Sequence, residues 1–224
     1  MPADAMPTLP ILLSLKISGL ATLCSLLLGL GTAHLLARRR SALSAILDAL
    51  CMLPLVLPPT VLGYYLIMLF GRHGTFGPTL QALGLQLMFS WQGAVVAVTV
   101  VVFPLIHRSA KAALEAVDPR LEDAARTLGA SELSIFFTVS LPLAFRGILA
   151  GTMLAFARGM GEFGATLMIA GNIPGKTQTL SLAVYDAFQE GNDAQATTLV
   201  IITSLLCAAI LIGTEWLTKK DFHR

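Results

Sequence analysis

The sequence predicts an all-α polytopic membrane protein with five transmembrane helices, N-terminus outside and C-terminus inside. Three observations predict it. Only 12% of the 224 residues are charged and 55% are hydrophobic, whereas a soluble domain carries about 25% charged residues. Mean hydropathy is +0.77. The apolar residues fall in runs at 11–37, 45–70, 86–106, 144–170 and 196–217, each near the roughly 20 residues that cross a bilayer core of about 30 Å. Helices are the expected state, because unpaired backbone groups are costly in lipid. The alternation of a membrane β-barrel is absent.

The first run has only Asp4 and Lys16 as charges near its start. It lacks the basic segment of a secretory signal and is expected to be retained. The second is interrupted by Pro54, Pro58 and Pro59. Prolines free backbone carbonyls and bend helices, which fits either a packing kink or a broken helix lining a pathway. Tyr64 and Tyr65, Trp91 and Trp216 lie toward run ends, as interface anchors do. The fourth run holds Arg158 and Glu162. They are four apart and can pair on one helix face. Ionisable residues within a membrane cost about 2.5–3.5 kcal/mol each, so two readings stand: a structural ion pair, or a role in a translocation pathway.

Charge sets the orientation. With the N-terminus outside, eleven of the 15 Lys and Arg lie on inner segments: Arg38 to Arg40, five within 107–146, and Lys219, Lys220 and Arg224. Only Arg72 and Lys176 lie in outer loops. Lys and Arg concentrate on the cytoplasmic side. The outer loops are then about 71–85 and 171–195, and the large inner loop is 107–143.

Two short motifs are decoys. "AGNIPGKT" (170–177) approximates a phosphate-binding loop, but it follows a membrane run rather than a strand and faces outside. Its Gly, Asn and Pro read as a turn. "GMGEFG" (159–164) fits a dinucleotide fingerprint without its strand. There Ala157, Gly161 and Ala165, and Ala155 and Gly159, recur every four positions, which suits close helix packing. Cys24, Cys51 and Cys207 and the histidines His34, His73, His107 and His223 are scattered, with no metal constellation. No convergent catalytic set is evident, so the chain is not expected to be an enzyme.

The inner segment "DPRLEDAARTLGASELSIFFTVSLP" (118–142) is a charged insert in an apolar chain. Asp118 can cap a helix and Pro119 suits its first position. Leu114, Val117, Leu121 and Leu128 share an approximate face. Gly129 fits a stop. Ser131 can start a second short helix, expected to end before Pro142. Ile135, Phe136 and Phe137 cluster on it. This hairpin suits either a lipid-interface surface or a docking element.

It resembles the EAA loop of permease subunits of bacterial ABC importers. That signature is Glu-Ala-Ala, three residues, Gly, nine residues, Ile, any residue, Leu-Pro. Here it reads Asp123-Ala124-Ala125, Gly129, and Val139-Ser140-Leu141-Pro142. Asp stands for Glu and Val for Ile. Asp is one methylene shorter, and Glu122 is the adjacent acid. "LPLVLPPTVLGYYL" (53–66), "FSWQGAVVA" (89–97), "AARTLGAS" (124–131), "LAFARGMGEFGATLM" (154–168) and "NIPGKTQT" (172–179) resemble the molybdate/tungstate branch. Sulfate permeases are its nearest confusable relatives.

The resemblance implies a type I ABC importer permease fold, with 1–224 one transmembrane domain in a bacterial cytoplasmic (inner) membrane. It implies a homodimer, separate ABC ATPase subunits that carry ATP and Mg, a periplasmic or lipoprotein molybdate-binding protein, and surrounding lipid. No cofactor on this chain and no nucleic-acid partner are expected. The implied coupling residues are Glu122, Asp123, Ala124, Ala125, Gly129, Ala130, Ser131, Leu141 and Pro142. The candidate pathway residues are Arg158, Glu162, Pro58 and Pro59. Sulfate or thiosulfate import is the alternative function. A secondary transporter is a weaker one, since it would leave the inner loop unexplained.

Overall fold

The computed structural model describes residues 8–39 and 41–219, with side chains through 213. Arg40, Lys220, His223, Arg224 and the side chains of Trp216 and Lys219 lie outside the described residues. The elements are α1 (Thr8–Leu36), α2 (Ala42–Val56), α3 (Pro59–Phe70), α4 (Gly77–Ala82), α5 (Trp91–Glu115), α6 (Pro119–Thr127) and α7 (Glu132–Ile135). A π-helical turn (Phe136–Ser140) leads into α8 (Leu141–Met160), followed by α9 (Gly164–Ala170), α10 (Leu180–Gln189) and α11 (Asp193–Lys219). No strand occurs among the described residues.

Four helices are long and apolar enough to span a membrane: Thr8–Leu36, Trp91–Glu115, Glu132–Met160 and Asp193–Gly213. A fifth span is the pair Ala42–Val56 and Pro59–Phe70, bent by 112°. The run 45–70 is therefore two helices. Leu57 is extended, with ψ 140°, as a residue before proline must be. Pro58 and Pro59 then start α3. Pro54 lies inside α2 without ending it.

Two other boundaries differ from the hydropathy reading. The third helix starts at Trp91, capped by Ser90, whose Oγ accepts from Gly93 N at 3.2 Å. It continues to Glu115, because Ala110 and Leu114 remain buried while charged residues occupy the other faces. Polarity ends an apolar run without ending a helix. The second hairpin helix also does not stop before Pro142. It continues from Glu132 through the π turn to Met160. Pro142 has no N–H to give the carbonyl one turn back. The widened bonding, with Leu141 N donating to Phe136 O, absorbs the break.

The core is built around α5. Its Ala94, Ala97, Val98, Val101, Val102 and Ile106 are buried with Ile17 and Ala21 of α1 and Ala155 of α8. Hydroxyls tie this layer across the helices: Ser25 Oγ donates to Thr99 O at 2.9 Å. The small residues of α8 serve close packing, but along one stripe. A methyl at Gly151 would overlap Ser109 Cβ, and one at Gly159 would lie 3.0 Å from Val98 Cγ1. The other stripe, Ala157–Gly161–Ala165, does not form, because α8 ends at Met160. Beyond that break α9 packs on α3. A methyl at Gly63 would lie 2.5 Å from Met168 Cβ, and one at Gly164 would lie 2.9 Å from Pro59 Cβ.

Gly151→Val forces α8 away from α5. Overpacking of this kind costs about 1–3 kcal/mol, so the detergent-purified protein should melt at a lower temperature. An unchanged melting midpoint would contradict this packing.

Candidate functional site

The basic end of the bundle carries a preorganised hairpin. Asp118 caps α6, its Oδ1 accepting from Arg120 N at 2.9 Å. The helix closes with paired bonds: Gly129 N to Arg126 O at 2.9 Å and Ala130 N to Ala125 O at 3.1 Å. This is the Schellman arrangement, which needs a left-handed residue. Gly129 supplies it at φ +81°. Ser131 then caps α7, accepting from Ser134 N at 3.3 Å.

Ion pairs stiffen the two arms. Arg126 Nε and Nη2 donate to both Glu132 carboxylate oxygens at 2.6 and 3.0 Å, and Nη1 donates to Asp123 Oδ1 at 2.6 Å. These bonds, chiefly the one to Glu132, raise the Arg126 guanidinium further above its usual range. It stays charged at any working pH.

The hairpin sorts its residues into two faces. Asp123 and Ala124 are exposed and Ala125 is half-buried. Leu128 is 88% exposed, with Leu133 and Phe137 also outward. Leu114 and Val117 are buried, whereas Leu121 and Leu128 are not, so the expected shared face breaks at the turn into α6. Ile135 and Phe136 are buried without Phe137. Leu141 is half-buried and Pro142 exposed at the start of α8. Glu122 is not presented outward. Its carboxylate is buried, accepts from Ser140 Oγ at 2.7 Å and pairs with Arg38 at 2.7 Å.

A second polar cluster sits where the fourth run breaks. Arg158 Nη1 lies 2.9 Å from Glu162 Oε2. Glu162 is past the end of α8, and its other oxygen accepts from Ala165 N at 3.0 Å, inside the first turn of α9. One carboxylate thus serves an ion pair and a helix start. Its side chain is 1% exposed and that of Arg158 is 40% exposed. Pro59 touches the same turn from α3 through Gly164. Arg158, Glu162 and Pro59 are therefore gathered, with Pro58 at the adjoining bend.

A third cluster escaped the sequence reading. His107 is fully buried on α5. Its Nδ1 is 3.0 Å from Thr32 Oγ1 on α1, and its Nε2 is 2.8 Å from Asp48 Oδ1 on α2. Lys111 Nζ reaches the same Asp48 oxygen at 3.1 Å. This is a hydrogen-bonded strut across three helices. No group of metal-holding side chains occurs among the described residues. The available signal was Asp48 itself, the lone acid in its apolar run.

The decoy loop closes on itself. The amides of Lys176, Thr177 and Gln178 all point to Ile173 O at 3.0, 2.9 and 3.2 Å. They are not free to cradle a phosphate. Buried Thr177 Oγ1 accepts from Ile173 N at 3.0 Å and donates to Gly171 O at 3.2 Å.

Residues 25–220 match the family described as binding-protein-dependent transport system inner membrane component. The chain belongs to this family. Among its relatives is the molybdenum transport system permease protein ModB of Escherichia coli K12, 48% identical over 96% of this chain and 94% of that protein. The protein of the same description from Haemophilus influenzae is 45% identical over 93% and 92%. A solved inward-facing structure of the MetNI methionine ABC transporter superposes with a TM-score of 0.75, covering 98% of each chain at 20% identity. The fold is that of type I ABC importer permeases, and this inner-membrane component shares it across its length.

Asp48→Ala removes the partner of a buried His107 donor. A lost buried bond costs about 1–3 kcal/mol, so the purified permease should melt lower, and adding His107→Leu should recover part of the loss. An unaltered midpoint in Asp48→Ala would show that the strut contributes nothing.

Proposed function

We propose that the chain is the permease subunit of an ATP-driven importer of molybdate, with tungstate as a near-isosteric cargo. It acts as a homodimer whose two copies enclose the pathway, each chain a single transmembrane domain. The observation that carries the substrate is 48% identity over 96% of the chain to a molybdenum transport permease. The basic end faces the cytoplasm, in keeping with the Lys and Arg bias of inner loops.

ATP and Mg belong to separate ATPase subunits in this reading. The outward face of the hairpin, with Asp123, Ala124, Ala125, Leu128 and Leu133, suits a cleft on such a subunit. Small Ala side chains permit close entry. Gly129, Ala130 and Ser131 fix the angle between the arms, so the hairpin enters as a rigid wedge. Closure of the ATPase pair draws the two hairpins together, and the membrane helices rock between inward-open and outward-open states. Leu141 and Pro142 lie where that movement enters α8. A binding protein delivers the oxyanion to the outer face.

Arg158 suits the pathway. Its partly exposed guanidinium is too costly to leave in lipid, and a second copy would enclose it. There it offsets the dehydration of a tetrahedral dianion, while Glu162, held by Arg158 and Ala165 N, limits the net positive charge. This favours a weakly binding path. Pro58 and Pro59 shape the wall by breaking the second span.

Uptake of labelled molybdate at trace concentration, in cells lacking the chain, should return on its restoration and resist excess sulfate. Uptake abolished by sulfate would move the assignment to sulfate or thiosulfate. Arg158→Gln should lower uptake about 10- to 150-fold, the scale of one charge-assisted bond of about 1.5–3 kcal/mol, with the protein still inserted. Normal uptake would remove Arg158 from the pathway.

A further inference from the structure

The helix α1 ends at the basic pole, and the arginine just beyond it reaches the hairpin. Arg38 Nη1 lies 2.7 Å from Glu122 Oε2, and Nη2 donates to Val117 O at 3.3 Å. We propose that Arg38 is a positioning residue of the coupling step: through buried Glu122 it joins the hairpin, the end of α1 and the start of α8 into one rigid body, so that a push on the hairpin reaches α1. This rests on the reading that the hairpin receives the movement of a partner ATPase.

Connectivity alone does not tie α1 to the hairpin. The chain joins the hairpin to α5 at one side and to α8, through the π turn, at the other. Neither joint includes α1. Yet α1 lies in the core with α5, where Ile17 and Ala21 pack on Val98 and its neighbours. It also meets α10, where Leu180 N donates to Ser14 Oγ at 2.8 Å. A movement that misses α1 would shear the bundle.

The contact between α1 and the hairpin is narrow. A cleft of about 290 Å³ opens between them, lined by His34, Arg38, Glu122, Arg126, Glu132 and Phe136 among others. Beside the cleft Ala33 of α1 shares one apolar cluster with Val117 and Phe136, and at the cleft itself they touch through side chains. One such contact is the His34–Phe136 ring pair, with centroids 4.2 Å apart. The ion-paired contact is Arg38–Glu122.

Glu122 is a hub with both oxygens committed. Oε2 takes Arg38, while Oε1 accepts from Ser140 Oγ at 2.7 Å, the last residue of the π turn. Arg126 Nη2 is farther off, at 3.8 Å from Oε2. Parting from Arg38 would leave this buried carboxylate only the longer contact to Arg126 to offset its charge. The three elements therefore move together. The same commitment leaves the outward Asp123, not Glu122, as the acid available to a partner.

The test uses the permease reconstituted with its cognate ATPase and binding protein. ATPase retention, ATP hydrolysis and labelled molybdate uptake are read on Arg38→Ala, Arg38→Lys and Arg38→Ala/Glu122→Gln. Arg38→Ala should retain the ATPase and its hydrolysis, while uptake per ATP falls about tenfold, within the usual range of coupling between sites. Lys keeps the charge without the fork, so Arg38→Lys should recover part of the ratio. The double variant removes the stranded charge. Its melting midpoint should return toward that of the unaltered protein while uptake per ATP stays low.

Normal uptake per ATP in the double variant would overturn the proposal, since Arg38 would then only neutralise Glu122. Loss of ATPase retention in Arg38→Ala would overturn it too, by placing Arg38 in docking. If the unaltered chain retains no ATPase, the coupling reading itself fails and this inference falls with it; overturning by the variants alone leaves that reading standing.

Discussion

Within an apolar bundle, every backbone group that leaves a helix must find a partner from the chain. The break after Met160 is where this requirement is sharpest. Glu162 meets it by giving one oxygen to Ala165 N and the other to Arg158. The neighbouring joints obey the same rule. Phe89 N donates to Ile169 O at 3.0 Å, tying the segment before α5 to the end of α9. The short helix α9 has both ends satisfied in this way, and it packs on α3 because Gly63 and Gly164 bring them close.

The buried charges divide the labour along the bundle. Arg158–Glu162 secures the break between α8 and α9. His107, with Asp48, Thr32 and Lys111, fixes α2 against α1 and α5. Arg38–Glu122 fixes the hairpin against α1 and α8. The last two join segments far apart along the chain. The helix α2 illustrates why: Leu43, Ile46, Leu50 and Val56 are exposed along it, so apolar packing alone leaves its rotation loosely set. A directional bond from Asp48 supplies what packing does not. For a transporter, such bonds have a further consequence. They let blocks of helices move as units, which the proposed coupling to a partner's movement requires.

Much of the design was legible in the residues. Apolar run length and the spacing from Asp123 to Pro142 were enough for a helical membrane protein with a helix–turn–helix hairpin, and the position of Lys and Arg supports the proposed orientation. The caps Asp118 and Ser131 and the turn at Gly129 read correctly because they are local: each involves residues two to five apart. The bend at Pro58–Pro59 was visible for the same reason. What misled was hydropathy used as a ruler. It ended the third helix at the first charges, although α5 runs on to Glu115 under tertiary cover. It also joined 144–170 into one helix across a break that Glu162 stabilises.

The sequence by itself determined the helical class and the local caps and turns, because these follow from run length and capping within a few residues. Only the tertiary structure decided which charges meet. Arg38 and Glu122 are 84 positions apart, and His107 and Asp48 are 59 apart. No local pattern encodes such pairings. They arise because α1, α2 and α5 pack side by side and a charge excluded from water must take the partner that packing brings within reach. For that reason Glu122 and Asp123, neighbours in one acidic dipeptide, face opposite ways: one holds the hairpin to the bundle, the other pairs with Arg126 on the hairpin's outward face.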